Sequence, residues 1–497
     1  MKPQIDKIQT GCRKFLGNSQ TVVEAQLSAK DAEAVSVLAI SADPCVTSGE
    51  SLSGEVFYAG KVNVKAIICD NDENPASLNY NVDFSNKFES EYITPDVKLD
   101  FTSCAVDVSY KTEGNNVLVR CVVETKIYAS LKRDADVMTD CQDVSCKTEN
   151  VEICVEKANI NANFTVVDEI EVKHKIGKIL LAESNAVLSS VKCGEDCITV
   201  KGNVFTCVTY QTGEKNIKSV VIDTPFNEEI SADGASGDCT PTARITVKNT
   251  KLHMEIVEDE DNRTFTVETE LCLNAVCCAD KNLQVVADAF SLTEEIKIIS
   301  DTFETCKPQN YFCFTQKIDG VAETEGKPAV DEILCTTNPK IVVVNSRCNS
   351  GSLTVEGILC GSVLYLSEEK ISSLDFEIPF VSEADCNCDS MCDVVNAAVT
   401  EISAKVIRGA VSIVATAKFG VNCYSAQKFA AVCDIEVLGE RQHSGCAIEV
   451  LTGKQGMTAW DLQKYLGIAE SDIMACNPDL TLPLTQDRKI LIYRQIK

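Results

Sequence analysis

The chain has 497 residues, 45% of them hydrophobic and 24% charged, a globular composition too long for one core. Three or four domains of about 100 to 150 residues are therefore expected. A formal net charge of −28 argues against nucleic acid and anionic lipid as partners, since both need a basic face, and no apolar run approaches the roughly 18 residues that membrane insertion requires.

At the start of the chain, Met1 to Gly17 lacks both a continuous apolar stretch and a small-residue cleavage site, so it does not read as a secretory signal and a cytoplasmic location is expected. Beyond it the sequence repeats itself. Gly54-Glu55-Val56, Gly202-Asn203-Val204 and Gly357-Ile358-Leu359 each open an apolar stretch that ends near Phe84, Phe226 and Phe380. A second matching run follows each phenylalanine, at Val123-Glu124-Thr125, Val267-Glu268-Thr269 and Val414-Ala415-Thr416. Three copies of one domain account for this most economically.

The local patterns within the copies are those of strands. Thr264 to Leu271 and Leu353 to Leu359 largely alternate apolar and polar side chains, giving each one face for a core and one for water. Polar breaks at Asp70 to Pro75, Gln211 to Glu214 and Glu258 to Asn262 read as hairpin loops. Short strands with a turn signal about every ten residues favour a β-sandwich for each copy. The fold class expected is thus mainly β: three β-sandwich-like repeats in series, over residues 31–140, 175–305 and 330–440, plus a small C-terminal domain over 446–497. Cys141 to Glu156 and Cys306 to Ala322 fall between repeats, as linkers or added strands, and Met391 to Ile402 has near-helical spacing of its apolar residues, with strand as the alternative. Such a serial arrangement predicts a long body with separate contact surfaces.

Twenty-seven cysteines are many for a chain without a secretory signal. No Cys-x-x-Cys occurs, and His174, His253 and His443 have no partner histidine nearby, so no metal site is assigned even at the densest group, Cys386, Cys388 and Cys392. Most cysteines, such as Cys207, Cys272, Cys360 and Cys433, lie in strand-like runs and read as small buried hydrophobes. Late cross-linking in a protein shell is the other use for them. No nucleotide loop, nucleophile elbow or zinc-protease motif is present, so no catalytic residue and no cofactor is expected, and the acids from Glu258 to Asp261 read as a solvated hairpin tip.

The last fifty residues hold six Lys/Arg and six Asp/Glu, so the acid excess belongs to the body upstream. Here Thr458 is placed to cap a helix running to about Leu466, and a second short helix from about Ser471 to Cys476 ends at Asn477-Pro478. Ile448 to Leu451 and Ile490 to Tyr493 read as flanking strands. Gly456-Met457-Thr458-Ala459-Trp460, Asn477-Pro478-Asp479-Leu480 and Ile490-Leu491-Ile492 together resemble a LysM module, a βααβ unit of glycan binding. That resemblance implies a groove between two loops. The candidate binding residues are Lys454, Gly456, Met457, Thr458, Ala459 and Trp460 on the first, with Asn477, Pro478, Asp479 and Leu480 on the second. The chain departs from the family where Gly-Asp-Thr reads Gly456-Met457-Thr458 and Pro-Gly-Gln reads Thr485-Gln486-Asp487. These changes weigh against sugar binding, and core packing is the plain alternative for Trp460.

The body resembles a known family as well. Glu356-Gly357-Ile358-Leu359, Val363 to Ser367 and Phe376-Glu377-Ile378-Pro379-Phe380 are similar to the repeated domain of the SipL family of clostridial spore-coat assembly proteins, which carry a C-terminal LysM module. The third copy carries the resemblance best and the first least. What it implies is a non-enzymatic scaffold in the mother-cell cytoplasm, docked on a SpoIVA-type coat protein at the forespore surface. A tether to peptidoglycan or a chitin-like glycan is the alternative.

Overall fold

Alternation along the sequence becomes strand almost everywhere in the computed structural model, which describes residues 2–29, 34–254, 262–386, 388, 391–442 and 446–493, the Cys12 side chain excepted. The first copy comprises β1 (Lys2–Ser28), β2 (Val35–Ser51), β3 (Glu55–Asp70), β4 (Pro75–Glu89), β5 (Lys98–Glu113) and β6 (Asn116–Gln142). The second runs β7 (Ser145–Glu171), β8 (Ile176–Gly194), β9 (Cys197–Thr212), β10 (Ile217–Ser231), β11 (Thr240–His253) and β12 (Thr264–Phe290). The third runs β13 (Glu294–Ala322), β14 (Glu332–Asn349), β15 (Ser352–Ser367), β16 (Lys370–Asp385), β17 (Met391–Ile407) and β18 (Ala410–Glu440).

Each copy is a sandwich of two three-stranded antiparallel sheets. In the first, β2-β3-β4 faces β1-β6-β5, and the other two copies repeat that order strand for strand. The sheets close on each other through alternate residues of their inner faces. In the third copy Leu353, Val355 and Leu359 of β15 meet Val411, Ile413 and Phe419 of β18 in one buried cluster.

One local device recurs three times. The central strand of each upper sheet carries a glycine directly opposite a phenylalanine: Gly60 and Phe84, Gly202 and Phe226, Gly357 and Phe380. A Cβ on Gly202 would come within 2.5 Å of the Phe226 ring and 2.6 Å of the Val187 carbonyl oxygen, and Gly357 is as crowded by Phe380 and Val342. A bulge in the preceding strand flanks each glycine, at Val46/Ser48, Leu188/Ser190 and Val343/Asn345. Bulge, glycine and aromatic ring together pin the register. The glycine equivalent in the first copy is therefore Gly60 and not Gly54, which sits in the β2–β3 turn at φ +88°. The second run is corrected likewise. The lower-sheet bulges face Val123, Leu271 and Ala417, so Val267 and Val414 are not the partners of Val123.

Three segments left open by the sequence resolve as strand. Met391 to Ile402 is strand, part of β17, whose alternation in pairing with β18 outweighs its helical spacing. Cys141 to Glu156 lies mostly in β7, and Cys306 to Ala322 is the second half of β13. These strands pair with β12 and β18 along nearly their whole length, as β1 does with β6. In each copy the long pair outruns the sandwich as a two-stranded arm. The acids Glu258 to Asp261 lie outside the described residues.

The three sandwiches do not string out into a long body. They close on one another. At one end Leu38 and Ile67 of the first copy, Leu181 and Ile217 of the second, and Leu334 and Leu364 of the third share one cluster. Beyond the sandwiches the arms converge, with Ile8 and Val137, Ile153 and Val285, and Phe303 and Ala431 in a second shared cluster. The side-chain amides of Asn396 and Asn422 in the third copy each bond both ways to the backbone of Ile245 and Ala243 in the second. They satisfy polar groups on the exposed edge of β11.

A charged group lies where the copies meet. Ser41 donates to Glu183, Lys65 Nζ donates to the Ala182 carbonyl at 2.9 Å and lies 3.9 Å from Glu183, and Lys340 pairs with Asp43. Burial, with Asp43 adding repulsion, pushes the Glu183 carboxyl up to about 7. Burial opposes charge on Lys340 too, but Asp43 and Glu183 overcome it and raise its value. Asp43 is held below its ordinary range because Lys340 outweighs its own desolvation.

Candidate binding site on the C-terminal module

After the third sandwich come β19 (Ile448–Gly453), α1 (Ala459–Leu466), α2 (Glu470–Cys476) and β20 (Arg488–Tyr493). The two strands pair antiparallel from Ile448 with Tyr493 to Gly453 with Arg488. Both helices cover one face of that ribbon, burying Leu462, Leu466, Ile473, Leu484, Ile490 and Ile492 together. A pair of strands this short needs such a cover to persist.

Thr458 caps α1 as the sequence requires. Its hydroxyl accepts from the Asp461 backbone, and the Asp461 carboxylate accepts from the Thr458 backbone at 2.8 Å, closing a capping box. Those bonds from Thr458 hold the Asp461 carboxyl below its ordinary value. Gly456 takes φ +88°, a conformation open to glycine, and its backbone donates to the Leu484 carbonyl at 2.8 Å. Leu484 in turn donates to Met457 at 2.9 Å, so the first candidate loop is bound by backbone to the residue that follows the second.

The altered turn has its own replacement. Asp487 accepts from the Gln455 backbone and from Lys454 Nζ, both at 2.9 Å, and the Gln455 bond first, then Lys454, lowers its carboxyl. A carboxylate, one residue after the position of the family's turn glycine, thus holds the loop.

The ten candidate residues divide. Lys454, Gly456, Thr458, Pro478 and Asp479 are exposed on the adjoining loops, and Met457 and Ala459 are half-buried. Asn477 is structural: its amide donates to the carbonyls of Ile473 and Leu491 and accepts from the Leu491 backbone, tying α2 to β20. Leu480 is in the module core.

Trp460 is in neither the core nor an open groove. Its indole Nε1 donates to Asp288 at 2.8 Å, and its ring meets Phe290 edge-on at 4.7 Å. Both partners lie at the end of the arm of the second sandwich. Lys464 pairs with the same carboxylate at 2.5 Å, and these two donors hold Asp288 below its ordinary value against the cost of its burial. Arg441, in the link before the module, donates to Ser291 of the arm at 2.8 Å and to the Lys464 and Tyr465 carbonyls of α1. A cation at those carbonyls suits the negative end of the helix. Asp288, Phe290 and Arg441 were not legible as site residues. The one sequence signal was that a lone tryptophan carries a donor that needs a partner when covered.

His174 is exposed, and His253, also exposed, faces Glu268 at 3.4 Å; His443 lies outside the described residues. Among the described residues no helix is long and apolar enough to cross a membrane.

Comparison with known proteins supplies one family. Residues 175–255 and 329–421 match the profile of the family described as SipL, SPOCS domain. The first range covers β8 to β11, and the second covers β14 to β17 and the start of β18. Matched sequence is thus mostly sandwich, while β7, β12 and β13 fall outside the matched ranges, as does the first copy with its identical strand order. No curated protein matches the chain.

Proposed function

We propose that this chain is a non-enzymatic scaffold of spore-envelope assembly. In this reading a LysM-like C-terminal module docks the body onto a SpoIVA-type coat-layer protein, from the mother-cell cytoplasm, at the forespore surface. The observation that carries it is the match of the second and third sandwiches to a SipL domain, in a body whose three copies lead into a βααβ module.

The geometry of the module supports docking in a specific way. Trp460 and one side of α1 are engaged by the arm, so the module is held at a set orientation rather than trailing on a flexible link. Lys454, Thr458, Pro478 and Asp479 stay exposed on the paired loops, available to a partner surface. On a polymerised layer, several weak contacts from one rigid body add through effective concentration.

Pull-down from sporulating cells tests this. The full chain should retain a coat-layer ATPase of the SpoIVA type, and a chain lacking residues 446–497 should lose it along with forespore localisation. If the truncated chain still coats the forespore, the module is not the docking element. Glycan tethering is the competing reading: saturable binding of chitin oligomers or muropeptides, with perturbation confined to the 454–459 and 477–483 loops, would replace protein docking.

A further inference from the structure

At one end of the third sandwich five cysteine sulfurs adjoin. Cys348 Sγ lies 3.4 Å from Cys386 Sγ, Cys386 lies 3.9 Å from Cys392, and Cys392 lies 3.3 Å from Cys423. Cys348, Cys388 and Cys392 have sulfurs all within 4.8 Å of one another. Cys386, Cys388, Cys392 and Cys423 are buried and Cys348 is half-buried, so the group reaches solvent on one side only.

General cysteine usage does not account for this placement. Cys348 is the last core position before its hairpin, opposite Leu353; the equivalents are Cys193, opposite Ile198, and Ser51, opposite Val56. Cys423 lies six residues beyond the position that faces the lower-sheet bulge, as do Cys277 and Ala129 in the other copies. The first copy therefore packs the same end with serine and alanine. The second brings Cys193 and Cys277 together at 3.2 Å, with Cys197 and Cys239 beside them. Only the third adds Cys386, Cys388 and Cys392 from the link into β17 and its start.

We propose that this end of the third sandwich binds one soft, thiophilic divalent cation, zinc, through Cys348, Cys388 and Cys392 with Cys386 as the fourth ligand. Zinc in a tetrathiolate site has bonds of about 2.3 Å, which places neighbouring sulfurs about 3.8 Å apart; the Cys348–Cys386 and Cys386–Cys392 separations of 3.4 and 3.9 Å lie close to that, and Cys388 closes in on Cys386 when the cation binds. In the thiol form Cys348 donates to the Cys388 carbonyl at 2.9 Å, and Cys388 to the Tyr424 carbonyl at 2.9 Å. On binding, each ligand thiol gives its proton to solvent, and its weak S–H bond is exchanged for a bond to the cation. Cys423, behind Cys392, stays a thiol. The cation ties β14 to the link between β16 and β17, joining the two sheets of the sandwich.

The test uses the full chain, purified under reducing conditions without chelator. Elemental analysis should give one zinc per chain. After removal of zinc, cobalt(II) titration should saturate at one equivalent, with sulfur-to-cobalt charge-transfer bands in the near ultraviolet and the intense visible bands of a tetrahedral site. Cys388→Ser and Cys392→Ser should each weaken cobalt binding at least 100-fold, while Cys193→Ser in the second sandwich leaves it unchanged. Circular dichroism separates lost ligation from lost folding, and Cys348→Ser, at the half-buried rim, serves if a buried variant fails to fold. A folded, metal-free chain that gives no cobalt spectrum overturns the proposal. So does mass mapping that finds Cys392 and Cys423 joined as a disulfide in protein isolated without reductant.

Discussion

The three sandwiches bury whole apolar surfaces against one another at two ends, whereas the module keeps a small core of its own and meets the body through Trp460, Lys464 and Arg441. The body's interfaces are part of its folding. Each copy contributes to clusters that the other two complete, so no sandwich is expected to reach full stability alone. The module's interface is an attachment between two finished structures, with one carboxylate, Asp288, taking both a hydrogen bond and an ion pair. Perturbations should accordingly be global in the body and local in the module.

The strongest way to break that contrast is Lys340→Ala. It leaves Asp43 without its paired cation and Glu183 with Lys65 alone where the copies meet, and loss of one partner from such a group costs about 3 to 5 kcal/mol. Chemical denaturation should show the whole body losing stability in one transition; a loss confined to the third copy would mean that the sandwiches fold independently. Gly357→Val comes next, forcing a side chain into the Phe380 ring and the Val342 carbonyl at a cost of about 2 to 3 kcal/mol. Gly54→Val, at a turn position with open space around it, should act only through its backbone conformation, and comparing the two isolates the steric part.

The third effect is a pH dependence. The folded Glu183 value, about 7, lies above its ordinary 4.5, so folding takes up a proton between those values. Stability from this group is intact below 4.5, falls as pH rises through the window and levels off above about 7, a loss of at most about 3 kcal/mol at about 1.4 kcal/mol per unit, lessened as Asp43, Lys65 and Lys340 share it. Glu183→Gln should flatten the thermal midpoint between pH 5 and 8; an unchanged slope would place the titration elsewhere.

Smaller still is Thr458→Ala, which removes the cap of α1 and should cost the module about 1 kcal/mol, read as faster amide exchange in residues 459–466 alone. The smallest effect expected on the body is from Trp460→Ala. It should free the module, seen as faster proteolysis in the link around residue 441 and a larger radius in solution scattering, while the body's denaturation midpoint moves by less than about 0.5 kcal/mol. A midpoint that moves with it would make the module part of the body's folding unit.

Strand character and the repeat were legible because alternation is a local property, and because the glycine-phenylalanine pairing leaves a mark in each copy. Register was less so. Alternating runs look alike when slid by a few residues, which is how Gly54 stood in for Gly60 and Val267 for Leu271. Of the long first strands β1 was passed over, and parts of β7 and β13 stayed open between linker and strand, since exposed arm positions carry polar residues that mimic linkers. In the module the helices and the Thr458 cap follow from short-range signals, but the engagement of Trp460 depends on an aspartate 172 residues away, which no local pattern announces. Closure of the three copies is hidden for the same reason.

The charges between the copies have a consequence for how such a body can be encoded. Ser41, Glu183 and Thr337 occupy one equivalent position, each opposite the residue five beyond its central glycine, and Asp43, Asn185 and Lys340 occupy another. In a homotrimer every such position would be filled three times by the same residue, so a glutamate or lysine there would face two copies of itself. Covalent fusion removes that constraint. Two acids and two lysines from different copies can then meet and neutralise, and the centre of a nearly three-fold object acquires a single, directional arrangement.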